Sequence, residues 1–77
     1  MNNQRRKEIE LVADAIRTNL LRLEELIDEE REYFESIPEN LQETERAQRS
    51  EELADIMEEA KSEIEDKLDE LTEEIYQ

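Results

Sequence analysis

The stretch Tyr33-Phe34-Glu35-Ser36-Ile37-Pro38-Glu39-Asn40-Leu41-Gln42-Glu43-Thr44 decides the fold. It holds the only proline of a chain that has no glycine. Proline cannot donate a backbone hydrogen bond, and it disfavours helical backbone in the residue before it. A helix arriving from the amino-terminal side must stop here. Ser36-Ile37-Pro38-Glu39 also fits a capping box, with Ser36 as N-cap and Glu39 as its reciprocal partner. This reading ends one helix near Glu35 and begins a short turn at Ser36. Ile37 and Leu41 flank the proline and are expected to plug the end of a core.

Upstream, Ile9, Val12, Ile16, Leu20, Leu23, Ile27 and Phe34 recur at spacings of 3, 4, 4, 3, 4 and 7. That is a coiled-coil-like stripe, and it predicts a helix over about residues 3–35. A second row, Leu11, Ala15, Leu26 and Tyr33, makes the apolar face wider than one two-helix seam needs. Downstream, Leu53, Met57, Ala60, Ile64, Leu68, Leu71 and Ile75 recur at spacings of 4, 3, 4, 4, 3 and 4. They predict a second helix over about residues 45–76, with residues 36–44 as the connection. Thr44 and Ser50 both suit an N-cap, so either could start it. At about 1.5 Å per residue, each helix is roughly 40–48 Å long. Similar lengths and a short connection imply an all-α fold: one antiparallel two-helix hairpin forming a single domain. In a lone hairpin the extra apolar row stays wet, so dimerisation into a four-helix bundle is expected.

Charge agrees with the antiparallel arrangement. The chain has 25 Asp and Glu against 10 Lys and Arg, a net charge of −15. Residues 1–22 carry five basic and three acidic residues, whereas residues 47–77 carry three basic and twelve acidic. Folding back sets Arg5, Arg6, Lys7, Arg17 and Arg22 beside the acidic second helix. Residues 23–46, with two basic and ten acidic residues, make the loop end strongly negative.

Composition removes several chemistries. With no Cys and no His, the chain cannot build a Cys/His zinc site or a thiol or imidazole catalytic pair. Ser36, Ser50 and Ser62 have no suitable base nearby in sequence. The start, Met1-Asn2-Asn3-Gln4-Arg5-Arg6-Lys7, is basic but precedes no apolar segment, unlike a secretory signal. No apolar run reaches membrane-spanning length. An acidic surface is repelled by nucleic acid and anionic lipid and attracted to basic protein surfaces. The expectation is a cytoplasmic, non-enzymatic protein that needs no cofactor. It should bind a basic-surfaced protein, make no direct contact with nucleic acid or membrane, and form a homodimer.

Twelve carboxylates lie between Glu51 and Glu74, over about 36 Å of helix. Their density, roughly one per 3 Å, is close to the phosphate spacing of about 3.4 Å along one DNA strand. A face carrying Glu58, Glu59, Glu65, Asp66 and Asp69 is therefore a candidate partner-binding surface and nucleic-acid mimic. The plainer reading is a solvated helix face, since Glu is a good helix former. Tyr33, Phe34, Ile37 and Leu41 gather apolar and aromatic side chains at the hairpin tip. They make a second candidate binding patch, or a small core that closes the loop end.

Glu24-Glu25-Leu26-Ile27-Asp28 followed by Glu52-Leu53-Ala54-Asp55 resembles the acidic pattern of all-helical MazG-type nucleotide pyrophosphohydrolases. That resemblance implies carboxylates holding magnesium. The pattern departs from the family where an Asp replaces a Glu, and basic residues for phosphate are sparse. It supplies the enzymatic alternative. A purely structural self-assembling coiled coil is the other.

A second resemblance covers nearly the whole chain. A basic start (Arg5-Arg6-Lys7), an acidic leucine-rich helix, the pair Tyr33-Phe34, the core Ile37-Pro38-Glu39-Asn40-Leu41-Gln42 and a second acidic helix occur in that order. This order resembles a family of small acidic helical proteins encoded by bacteriophages and prophages. Ser36 stands where that family has Asn, and Thr44 where it has Ser. No activity is assigned to the family. The resemblance implies an origin in a mobile element and a bacterial host cytoplasm as the setting. A small acidic protein there would act as an inhibitor of a host enzyme or defence protein.

Overall fold

The structure is a computed structural model that describes all residues, Met1 to Gln77. It contains two long helices and no strand: α1, Asn3–Ser36, and α2, Glu45–Glu74, joined by a connection with one 3-10 turn over Glu39–Leu41. The helices pack side by side as an antiparallel hairpin. Its Cα extents are 59 × 16 × 12 Å and its radius of gyration is 17.5 Å, against about 11–12 Å for a globule of this length. Neither helix is long and apolar enough to cross a membrane.

Each helix start is capped by a side chain. The Asn2 carboxamide oxygen accepts from the Arg5 N–H at 2.8 Å. Thr44 Oγ1 accepts from the Ala47 N–H at 3.3 Å and donates to the Leu41 carbonyl at 2.8 Å. Of the two candidate starts for α2, Thr44 is therefore the one used. Ser50 lies inside the helix, buried, and its hydroxyl donates to Glu30 Oε1 at 2.7 Å. The capping box at Ser36 does not form. Ser36 is the last residue of α1, and its hydroxyl donates back to the Tyr33 carbonyl at 2.7 Å. The Ile37 N–H still reaches the Phe34 carbonyl at 3.1 Å, so the helix continues until Pro38 has no N–H to give. Extended backbone at Ile37 (ψ 131°) and Pro38 (ψ 139°) then turns the chain, and Gln42 Nε2 donates to the Ile37 carbonyl at 3.1 Å. The reversal uses no residue with positive φ.

The seam between the helices is partly the one the large residues suggest: Leu20, Ile27, Leu68 and Ile75 lie in it, and Ala13, Ala47 and Ala54 take the other places. The buried apolar residues are Ala13, Leu20 and Ile27 on α1 and Ala47, Ala54, Leu68 and Ile75 packed against it. They recur every seven residues, and half-buried Lys61 fills the one open place in the second series. The three alanines are the least exposed residues of the chain, at 1 % each. Helix axes approach according to the side chains between them. Alanines draw the backbones together, and bulkier neighbours then fit only at the flanks. Val12, Ile16, Leu53, Ile64 and Leu71, expected in the seam, accordingly remain 37–60 % exposed.

Candidate interaction surfaces

The seam divides the rod into two broad sides. One is polar and closes on itself. Arg17 reaches across to Asp69 at 3.2 Å, donates to Thr72 Oγ1 at 3.3 Å and also pairs with Asp14 at 3.5 Å. Arg31 reaches across to Asp55 at 3.2 Å and to Glu58, and Lys61 pairs with Glu65 along α2. The hydrogen bond to Glu58, then that to Asp55, raises the Arg31 pKa above its ordinary value. The bond to Glu65 does the same for Lys61. Both cations are thus held charged between carboxylates.

The other side is apolar. Near the chain ends, Ile9, Val12, Ala13 and Ile16 of α1 line a groove with Leu71 of α2. Near the loop, Tyr33 and Leu53 line a second groove with Glu30, Arg46, Arg49 and Ser50. Leu53, Met57, Ala60, Ile64 and Leu71 follow one helical row between the two grooves, and Leu23, packed against the core cluster, lies on the matching row of α1. This open side is the half of the predicted apolar stripes that the alanine seam displaced. Leu11, on which the expectation of a wet surface partly rested, is 70 % exposed, but its place in the helical repeat is on the back of α1.

The structure separates the five carboxylates proposed as one partner-binding face. Glu58, Glu65 and Asp69 are engaged by Arg31, Lys61 and Arg17. Glu59 and Asp66 make no ion pair. They belong with Glu45, Glu52 and Glu73 to a row repeating every seven residues along the outer side of α2, all exposed. The two aromatic rings of the hairpin tip line different grooves. Tyr33 lines the groove on the apolar side, while Phe34, half-buried, lines one on the polar side with Arg31, Glu35, Glu51, Ala54 and Asp55. Ile37 is half-buried, and Leu41, expected to help plug the core, is 46 % exposed on the 3-10 turn.

Of the basic residues expected beside α2, Arg17 alone forms an ion pair across the seam. Arg6 Nε donates to the Ile75 carbonyl at 2.6 Å, and its guanidinium lies 6.0 Å from the centre of the Tyr76 ring. Arg22 pairs within α1, with Glu25 at 2.9 Å. Hydrogen bonding to Glu10 raises the Tyr76 pKa above its ordinary value. The carboxylates of the MazG-like pattern scatter: Glu25 and Asp55 are taken by arginines, Glu52 is on the outer row, and Glu24 and Asp28 line a groove with Lys61 and Arg31. No three carboxylates converge closely enough to hold a metal ion.

Nothing in the sequence reading singles out Arg31 or Lys61, which organise the polar side, and it places Ser50 at a helix start rather than in the seam. It also passed over the alanines at positions 13, 47 and 54. The seven-residue spacing that puts Ala13 in step with Leu20 and Ile27, and Ala47 and Ala54 in step with Leu68 and Ile75, was the available signal. The charge order within each helix was another. Arg5, Arg6 and Lys7 open α1, and Glu32 and Glu35 close it. Arg46 and Arg49 stand in the first turns of α2, and Asp69, Glu70, Glu73 and Glu74 close it without a cation. The order in α1 opposes the helix dipole, which favours anions at the start and cations at the end, whereas α2 agrees with it at Glu45 and opposes it at its acidic end. Compared with known proteins, the chain matches no family model, no curated protein and no solved structure.

Proposed function

We propose that this chain is a protein–protein interaction module that acts by binding and carries out no turnover of its own. The observation that carries the reading is the open apolar side. Val12, Ile16, Leu53, Ile64 and Leu71 remain 37–60 % exposed together on one side of the hairpin, while Leu11 and Leu21 are exposed elsewhere. A sustained apolar strip rimmed by polar residues marks an interaction surface. Helical pairs of this kind complete their core against further helices, as in a four-helix bundle. Replacing Ile16 and Ile64 by Glu tests the reading. The double variant is expected to stay helical by circular dichroism and to lose self-association or partner capture. Unchanged association would refute it.

A second binding surface is favoured by the outer row Glu45, Glu52, Glu59, Asp66 and Glu73, whose charges no cation of the chain pairs. It fits a protein with a basic surface. If that surface ordinarily meets nucleic acid, occupying it is inhibition by mimicry, and the phage-protein resemblance supports a bacterial host protein as the target. Charge at an interface chiefly speeds association. Reversing Glu59 and Asp66 to Lys should therefore slow association with a basic partner and flatten its salt dependence in surface-plasmon kinetics. An association rate indifferent to both would leave the row a solvated face.

A further inference from the structure

We infer that the occupant of the open apolar side is a second copy of this chain, the two hairpins stacking face to face as a four-helix bundle. The inference rests on the reading of that side as an interaction surface and names its partner. Three observations carry it.

The first is burial. The lone hairpin buries seven apolar residues, and no large side chain in it is fully enclosed. Two helices make one seam and supply no second layer for Ile16, Leu53, Ile64 and Leu71. A side measuring 59 by 16 Å between Cα extremes offers on the order of 900 Å². A standard interface takes about 800 Å² from each partner. A hairpin of equal length covers the strip from end to end.

The second is where the charge is not. Two chains of net charge −15 repel one another. The outer row of α2 and the polar side with Glu58, Glu65 and Asp69 both point away from the apolar side. Of the residues lining its two grooves, Glu8 and Glu30 are the only acids, and Glu30 already accepts a hydrogen bond from Ser50. The apolar side is the approach on which two such chains meet least repulsion.

The third is complementarity. α1 runs from a basic start to an acidic end, and α2, which opens on Glu45, carries Arg46 and Arg49 in its first turns and no cation in its last. A helix of the same sequence, lying antiparallel on either, sets acid against base at both ends. Face-to-face stacking places every helix over an antiparallel neighbour whether the two loops lie at the same end or at opposite ends. Arg46 lines the apolar-side groove, Arg49 lines it too, and neither forms an ion pair within the hairpin. In the bundle both meet the acidic end of the covering helix.

Sedimentation equilibrium of the full chain at micromolar concentration tests this. The expected mass is twice 9.3 kDa, falling to 9.3 kDa in the Ile16→Glu/Ile64→Glu variant. Should that variant unfold, Arg46→Glu/Arg49→Glu tests the same point with exposed residues outside the seam. It should weaken the dimer roughly tenfold, four exposed ion pairs being lost by symmetry. A dimer whose affinity is unchanged in that variant would overturn the charge pairing. A fully helical wild-type monomer would overturn the second copy. If that monomer captures another protein and the Ile16→Glu/Ile64→Glu variant does not, the interaction reading survives with a different occupant. If it captures nothing, both fail.

Discussion

The polar and apolar sides of the hairpin share one seam but depend on different things. On the polar side the chain supplies its own partners: Arg17 and Arg31 cross to Asp69, Asp55 and Glu58. On the apolar side it supplies rows of branched side chains and nothing to cover them. The alanines cause both outcomes. Close backbones bring the long arginines within reach of the opposite helix, and the same closeness squeezes Val12, Ile16, Leu53 and Ile64 out of the seam. Hydrophobic residues thus end at the surface although the helical pattern is strong, because the inner places are taken by three alanines and by Leu20, Ile27, Leu68 and Ile75.

The comparison breaks most readily at the seam itself. Leu68→Ala removes a buried side chain on the line where the sides meet, and about 2–5 kcal/mol of stability is expected to go with it. Ala54→Leu should cost about 1–3 kcal/mol by forcing the helices apart, and it should weaken the Arg31 bridges as well. Urea denaturation of both variants gives the values. A cost for Ala54→Leu no greater than for a surface change would mean that the helices are not closely apposed there.

A smaller effect is expected from the polar side. Its bridges are exposed, and exposed ion pairs contribute little. Arg31→Met should lower the unfolding midpoint by less than either seam change, and added salt should narrow the difference from wild type by screening. A loss as large as that of Leu68→Ala would make the polar side a second source of stability equal to the seam.

The smallest effect is alkaline. Lys61 and Tyr76 have raised pKa values in the fold, so the folded state holds their protons more tightly than the unfolded chain. Their contributions are complete below the ordinary values of 10.0 for Tyr and 10.5 for Lys, and fade as pH rises through the raised ones. Unfolding midpoints should therefore fall above about pH 10. The fall should be shallower in Lys61→Met and in Tyr76→Phe. A slope identical to wild type in both would remove these two groups from the alkaline transition.

The hairpin was legible because its signals are local. Pro38 stops a helix whatever surrounds it, Thr44 caps the next, and two helical repeats flank them. The seam was not legible in the same way. Ranking positions by hydrophobicity puts Leu53 ahead of Ala54 and Val12 ahead of Ala13. The true order depends on how near the second helix comes, which is a property of the pair. Ser36 shows the same limit at short range. Its pattern fits a cap, but the Tyr33 carbonyl was the closer partner. The acidic surface divided for a related reason: neighbours such as Glu58 and Glu59 lie about 100° apart on a helix, so one faces Arg31 and the other faces water.

The reversal at Ile37 and Pro38 also orders the contacts in time. Pairs across the seam are nested about it: Glu30 with Ser50 spans 20 residues, Arg31 with Asp55 spans 24, Arg17 with Asp69 spans 52, and Arg6 with Ile75 spans 69. Closing the innermost costs the least chain entropy, and each closure shortens the loop left for the next. On loop entropy the molecule is expected to assemble as a zip fastener pulled from the proline end and to fray first at the end that carries both termini, which amide hydrogen exchange checks.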